Sequence, residues 1–129
     1  MKKNQELFKV AYNAMLNAYA PYSKFRVGAA ILGSNGKIYA GCNTENVSYP
    51  CGTCAEAGAI AAMVVDGCKR IERILILSDG KSLIVPCGAC LQRIKEFAET
   101  GTEIILADKE ENLRICKIDE LLPHAFEEF

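Results

Sequence analysis

The pattern that most constrains this chain is a cysteine set split between two short segments, Cys54-Ala55-Glu56 and Pro86-Cys87-Gly88-Ala89-Cys90. Cys87 and Cys90 are one helical turn apart, so both side chains can point at one spot. Each segment is followed by a helical pattern, which predicts the cysteines at two helix N-termini, where thiolates are favoured. Three thiolates can hold one zinc ion and leave its fourth position to water. A carboxylate beside the first of them, Glu56, can then serve that water as a general base.

The same spacing admits a second arrangement. Cys51-Gly52-Thr53-Cys54 is itself a C-x-x-C, and with Cys87 and Cys90 it could close a four-cysteine structural zinc site with no room for a reactant. Glu56 would have no purpose in such a site. The chain carries seven cysteines, an odd and high number, and Met1-Lys2-Lys3-Asn4-Gln5-Glu6 reads as the lead into an amphipathic stretch rather than a signal-peptide core. That combination predicts metal binding in preference to disulfides. Cys42, Cys68 and Cys116 are expected to pack as small apolar residues. His124, the single histidine, is expected to be solvated.

The 129 residues suit one domain over 1–129, and half of them are apolar, enough for a core. A net charge of -1 without a Lys/Arg cluster argues against a nucleic-acid groove, which needs a basic stripe. No apolar run has the length of a membrane span. The expected setting is therefore cytoplasmic, with no membrane and no nucleic acid as partner.

Leu7, Phe8, Val10, Ala11, Ala14, Met15 and Ala18 share one face at helical spacing, predicting a helix over about 3–19 that Pro21 ends. A strand over about 25–32, a turn at Ser34-Asn35-Gly36 and a returning strand over 37–40 read as a hairpin. A polar loop (42–53) leads to an alanine-rich helix over about 54–65. Apolar runs at 74–77 and 104–107 are expected as strands buried on both faces. Between them a loop (78–85) and a helix over about 87–99 are expected. A strand over 113–118 and a last short helix through Leu122, capped by Asp119, close the chain. A hairpin followed by helix–strand alternation predicts an α/β fold with a mixed sheet of about five strands and helices on its faces.

The split cysteine motif follows the H/C-x-E and P-C-x-x-C pattern of zinc deaminases. Three further stretches stand in matching order along nearly the whole chain. They are Ala20-Pro21-Tyr22-Ser23-Lys24-Phe25-Arg26-Val27-Gly28-Ala29-Ala30, Gly41-Cys42-Asn43-Thr44-Glu45-Asn46, and Glu120-Leu121-Leu122-Pro123-His124-Ala125-Phe126. Together these motifs resemble the zinc-dependent cytidine deaminase family in its short-chain, nucleoside-specific form. The resemblance implies a three-layer α/β/α fold and one Zn²⁺ per subunit on Cys54, Cys87 and Cys90. It implies hydrolytic deamination of cytidine and deoxycytidine in pyrimidine salvage, with Glu56 moving the protons. It further implies that Phe25 stacks on the pyrimidine, that Asn43 and Glu45 clamp sugar hydroxyls, and that Ala55, Tyr49 and Phe126 complete the substrate-binding set. Tyr49 and Phe126 would do so across subunits of a homotetramer. A deaminase of a related nucleoside such as blasticidin S, or a non-catalytic zinc-stabilised binding module, shares parts of the pattern.

Two positions depart from the family's habit. Many members carry arginine directly after the glutamate and after the last cysteine, where it bonds the thiolates; here Ala57 and Leu91 stand instead. Backbone N–H groups at the two helix starts are expected to take over, with Thr53 and Gln92 as nearby donors. Arg93, the nearest cation after the last cysteine, lies three residues beyond Cys90; it reads either as a surface arginine or as the substitute charge.

Overall fold

The computed structural model describes residues 2–128. Its sheet has five strands in the order β2-β1-β3-β4-β5. They are β1 (Val27–Gly33), β2 (Ile38–Cys42), β3 (Ile71–Ser78), β4 (Ala98–Ala107) and β5 (Leu113–Cys116). Only β3 and β4 run parallel; β1 is antiparallel to both β2 and β3, and β4 to β5. The described residues also form four α-helices, α1 (Lys2–Leu16), α2 (Ala55–Val65), α3 (Gly88–Phe97) and α4 (Ile118–Leu121), and a short 3-10 helix at Tyr49–Cys51.

The uninterrupted apolar runs in β1, β3 and β4 are explained by burial on both faces. Ala30, Leu32, Leu75, Leu77, Ile105 and Ala107 face α1, meeting its buried stripe of Leu7, Ala11 and Met15. Their neighbours Ala29, Ile31, Ile74, Ile76, Ile104 and Leu106 face the other way, against Ala59 and Met63 of α2 and Leu91 and Ile94 of α3. The expected three layers and five-stranded mixed sheet are thus present. Cys68 and Cys116 lie in this second core, as expected for small apolar side chains. No helix among the described residues is long and apolar enough to cross a membrane.

Two glycines let helices lie directly on the sheet. A Cβ on Gly28 would stand 2.0 Å from the Ala11 carbonyl oxygen of α1. A Cβ on Gly41 would stand 2.3 Å from the Ala55 carbonyl oxygen and 2.4 Å from the Ala59 nitrogen. The second contact fixes the first turn of α2, which carries Glu56, against β2.

Several element boundaries differ from those expected. Helix α1 ends at Leu16, because the Tyr19 N–H leaves the helical path to bond Asn43 O at 3.0 Å, and Tyr19 O accepts from Glu45 N at 2.8 Å. Phe25 precedes β1: its carbonyl accepts from the Asn43 side chain rather than from a neighbouring strand. Strand β3 starts earlier than its apolar run, at Ile71, which pairs with Ala98 across a bulge. The cap of α4 is Lys117, whose N–H bonds the Glu120 carboxylate at 2.9 Å; Asp119 lies inside the first turn.

Candidate metal centre and active site

Strand register brings both halves of the cysteine pattern to one end of the sheet. Gly28 pairs with Cys42 and Val27 with Ser78, so the loops leaving β2 and β3 emerge side by side. The first loop ends at Cys54, the N-cap of α2, and the second at Cys87, the N-cap of α3. The second loop is pinned where it starts: Asp79 N donates to Arg26 O at 2.9 Å, and Arg26 Nε donates to Asp79 Oδ2 at 2.6 Å. That hydrogen bond, with Lys109 on the other oxygen, holds the Asp79 carboxyl below its ordinary value.

The sulfurs of Cys54, Cys87 and Cys90 lie within 4.8 Å of one another. Tetrahedral zinc with Zn–S bonds of about 2.3 Å asks for S···S separations of about 3.8 Å, so modest inward movement suffices. Cys51 does not join them; its thiol donates to Ser48 Oγ at 3.6 Å. The closed four-cysteine arrangement is therefore not formed, and the cluster is three thiols with a buried carboxyl beside it. Burial pushes the Cys54 thiol up, and burial with the adjacent Glu56 and Cys54 charges pushes Cys90 up further. The Cys87 thiol goes the other way, held down first by the backbone N–H of Cys90. Crowded acidic groups at two helix starts fit a dication, which relieves their mutual penalty. The three thiols are positioned to bind a metal.

Glu56 is the second residue of α2 and only 5 % exposed. Burial raises its pKa, partly offset by its own backbone N–H and the Cys90 thiol. It lines a small inner chamber of about 180 Å³ with Cys54, Ala55, Cys87 and Cys90, walled by Val27, Ile84, Val85 and Pro86 and open on one side. Asn43 and Cys54 also line a larger outer groove of about 460 Å³, together with Glu45, Tyr49, Asn46 and Tyr22.

Of the expected substrate residues, Ala55, Asn43, Glu45 and Tyr49 line these two spaces, whereas Phe25 and Phe126 do not. Phe25 is exposed, its ring against Gly80. Phe126 is exposed in the C-terminal tail, its carbonyl accepting from Gln92 Nε2 at 2.7 Å. Gln92 is therefore committed to the tail and not to a thiolate. Asn43 is engaged as well: its Oδ1 accepts from Val27 N at 2.8 Å and its Nδ2 donates to Phe25 O at 2.9 Å. It braces the chain on both sides of Arg26, with one N–H left over. Glu45 Oε1 accepts from Tyr22 N at 3.0 Å and Ser23 N at 3.1 Å, and its Oε2 accepts from Ser23 Oγ. The Ser23 hydroxyl above all keeps this carboxyl below its ordinary value, so an anion stands in the outer groove.

Sequence reasoning missed the apolar wall and left the direction of one cation open. Ile84 and Val85 were read only as loop; an apolar pair directly ahead of Pro86 was the available signal. Arg93 sends Nη1 to Cys90 Sγ at 3.5 Å.

Three thiols and a buried carboxyl at paired helix starts, on a mixed sheet sandwiched by helices, define a metal-centred hydrolytic site. Residues 1–106 match the cytidine and deoxycytidylate deaminase zinc-binding region. The cytidine deaminase of Sporosarcina psychrophila is 38 % identical over 122 residues, covering 95 % of this chain and 90 % of that protein. The cytidine deaminase of Halalkalibacterium halodurans is 38 % identical over 122 residues, covering 95 % and 92 %. A crystal structure of cytidine deaminase from Burkholderia pseudomallei superposes with a TM-score of 0.89 at 36 % identity, covering 95 % of this chain and 98 % of that one. The chain belongs to the cytidine and deoxycytidylate deaminase family.

Proposed function

We propose that this protein converts cytidine and deoxycytidine, with water, to uridine and deoxyuridine, releasing ammonia. The observation that carries the reading is the inner chamber, where three thiols and Glu56 share one small space with the apolar side chains of Val27, Ile84 and Val85. Such a chamber suits a single flat ring presented edge-on to the acid and the metal.

Cys54, Cys87 and Cys90 would hold zinc, which as a Lewis acid lowers the pKa of water from 15.7 toward about 7. The Glu56 carboxylate takes the proton that the attacking water must lose and delivers it to ring N3. It then takes the remaining proton of the added hydroxyl and passes it to the departing 4-amino group, which leaves as ammonia. One side chain serves as base and acid because its carboxyl is buried and adjacent to both positions. Val27, Ile84 and Val85 exclude bulk water from the ring. The outer groove would take the sugar. Oε2 of Glu45 keeps acceptor capacity for a hydroxyl, and the spare N–H of Asn43 can donate to one. The anionic Glu45 repels a phosphate there, favouring nucleosides over nucleotides. Phe25 would stack on the pyrimidine of a bound nucleoside.

The reaction would serve pyrimidine salvage in the cytoplasm, performed by one domain spanning the chain and assembled as a homotetramer. Val47, Tyr49 and Phe126 support the assembly as exposed apolar side chains flanking the groove and the tail. The primary test is the ultraviolet loss of cytidine absorbance with zinc-loaded and with chelated protein. Conversion by the first and not the second is expected. Zinc-loaded protein that leaves both nucleosides unchanged, while acting on another cytosine nucleoside in a substrate panel, would overturn the assignment.

A further inference from the structure

We propose that Arg93 is the charge-balancing residue of the metal centre, acting through the Cys90 sulfur. The proposal rests on the metal reading above and deepens it. Three thiolates on Zn²⁺ sum to -1. That surplus sits partly inside the protein, because Cys90 is fully buried. A buried anion needs a donor or a cation. The side chains next in sequence to Glu56 and to Cys90 are Ala57 and Leu91, which offer neither.

Arg93 follows Cys90 by three residues on α3, so the two side chains lie on the same face. Its Nη1 donates to Cys90 Sγ at 3.5 Å, an ordinary N–H···S distance. The rest of the side chain is open to solvent. Arg26, Arg70 and Arg73 each meet a carboxylate. Among the described residues no carboxylate lies within ion-pair distance of Arg93, so its charge is not spent elsewhere. A guanidinium is always ionised and is weakly hydrated, so bonding a sulfur costs it little. A donor on the sulfur stabilises the thiolate and draws charge away from the metal, as partners of metal ligands commonly do. The division of labour is then clear: backbone N–H groups at the start of α3 serve Cys87, and Arg93 serves Cys90.

The test measures metal binding apart from turnover. Wild type, R93A, R93Q and R93K are titrated with zinc against a chromophoric chelator, and each is loaded with Co²⁺ to record its thiolate-to-metal charge-transfer bands. R93A is expected to bind zinc about tenfold more weakly, in the range typical for lost partners of metal ligands. Its cobalt bands should move to lower energy, because a sulfur without its donor gives up electrons more readily. R93K should recover part of both effects, and R93Q less. Zinc affinity within twofold of wild type with unshifted bands in R93A would overturn the proposal. So would weaker binding with unshifted bands, which is the mark of a merely structural role. Wild type that binds zinc but leaves cytidine untouched would sink the functional reading alone; wild type that binds no zinc would sink both.

Discussion

The role proposed for Glu56 needs a carboxyl beside the three thiols and out of water, and the second position of α2 supplies such a place. Glutamine there keeps the shape but can neither accept nor return a proton. Zinc-loaded Glu56→Gln is expected to keep its metal and lose turnover by about a thousandfold, the usual scale of a removed acid–base group. Steady-state uridine formation together with zinc content checks it; near-normal turnover would remove Glu56 from the mechanism. Cys51 is the matching negative case, since its thiol turns to Ser48. Cys51→Ser should retain zinc and activity, whereas alanine at Cys54, Cys87 or Cys90 should lose the metal. Release of zinc from Cys51→Ser would revive the four-thiolate arrangement. The thiol cluster and the carboxyl beside it were legible in the sequence because a shared metal demands a spacing. The direction of the Arg93 side chain was not, because a position three residues along a helix face is shared with any surface arginine, and only packing decides where the side chain goes. Asn43 was legible as a site residue but not as a brace, since the partners it holds lie well upstream in sequence.

At the scale of elements, the apolar runs identified the buried strands, and the hairpin turn with Gly36 at φ 83° lies where Asn-Gly predicts it. Ends were less legible, because they depend on partners distant in sequence: Asn43 for the starts of β1 and the loop after α1, Thr102 for the entry into β4. The close approach of α2 to β2 was also hidden. Gly41 reads as one glycine among ten until the helix above it is seen. Gly41→Ala must push the Ala55–Ala59 backbone away from the sheet. A loss of about 3 kcal/mol in urea unfolding is expected, at the upper end for overpacking. Gly58→Ala is the control, since its Cβ would meet nothing closer than 3.6 Å. It should be neutral or slightly stabilising, as alanine favours helix. Equal stability of the two variants would show that Gly41 does not set the helix position.

Across the whole molecule, the sequence order indicated a mixed sheet but not the strand order. Placing β1 between β2 and β3 requires knowing that the hairpin joins the sheet through its first strand. Nor did the sequence distinguish apolar side chains for the core from those for a partner. Val47 is 78 % exposed and Tyr49 81 %. Patches of this kind mark protein contacts more often than bare surface. Sedimentation velocity at assay concentration is expected to give a tetramer. An active monomer under the same conditions would show that the site is complete within one chain.

The alignment of strand ends, with Cys42 opposite Gly28 and Ser78 opposite Val27, has a consequence for how the molecule loosens. A metal held by Cys54, Cys87 and Cys90 would tie the ends of the two thiol-bearing loops to each other. The sheet beneath them is held by its two cores. Metal would then work as a removable latch on the loops, with stability spread unevenly through the molecule. Amide hydrogen exchange should accelerate after chelation over 43–54 and 79–87 while the central amides of β3 and β4 stay protected. Uniform acceleration through the sheet would mean that the ion is required by the entire fold.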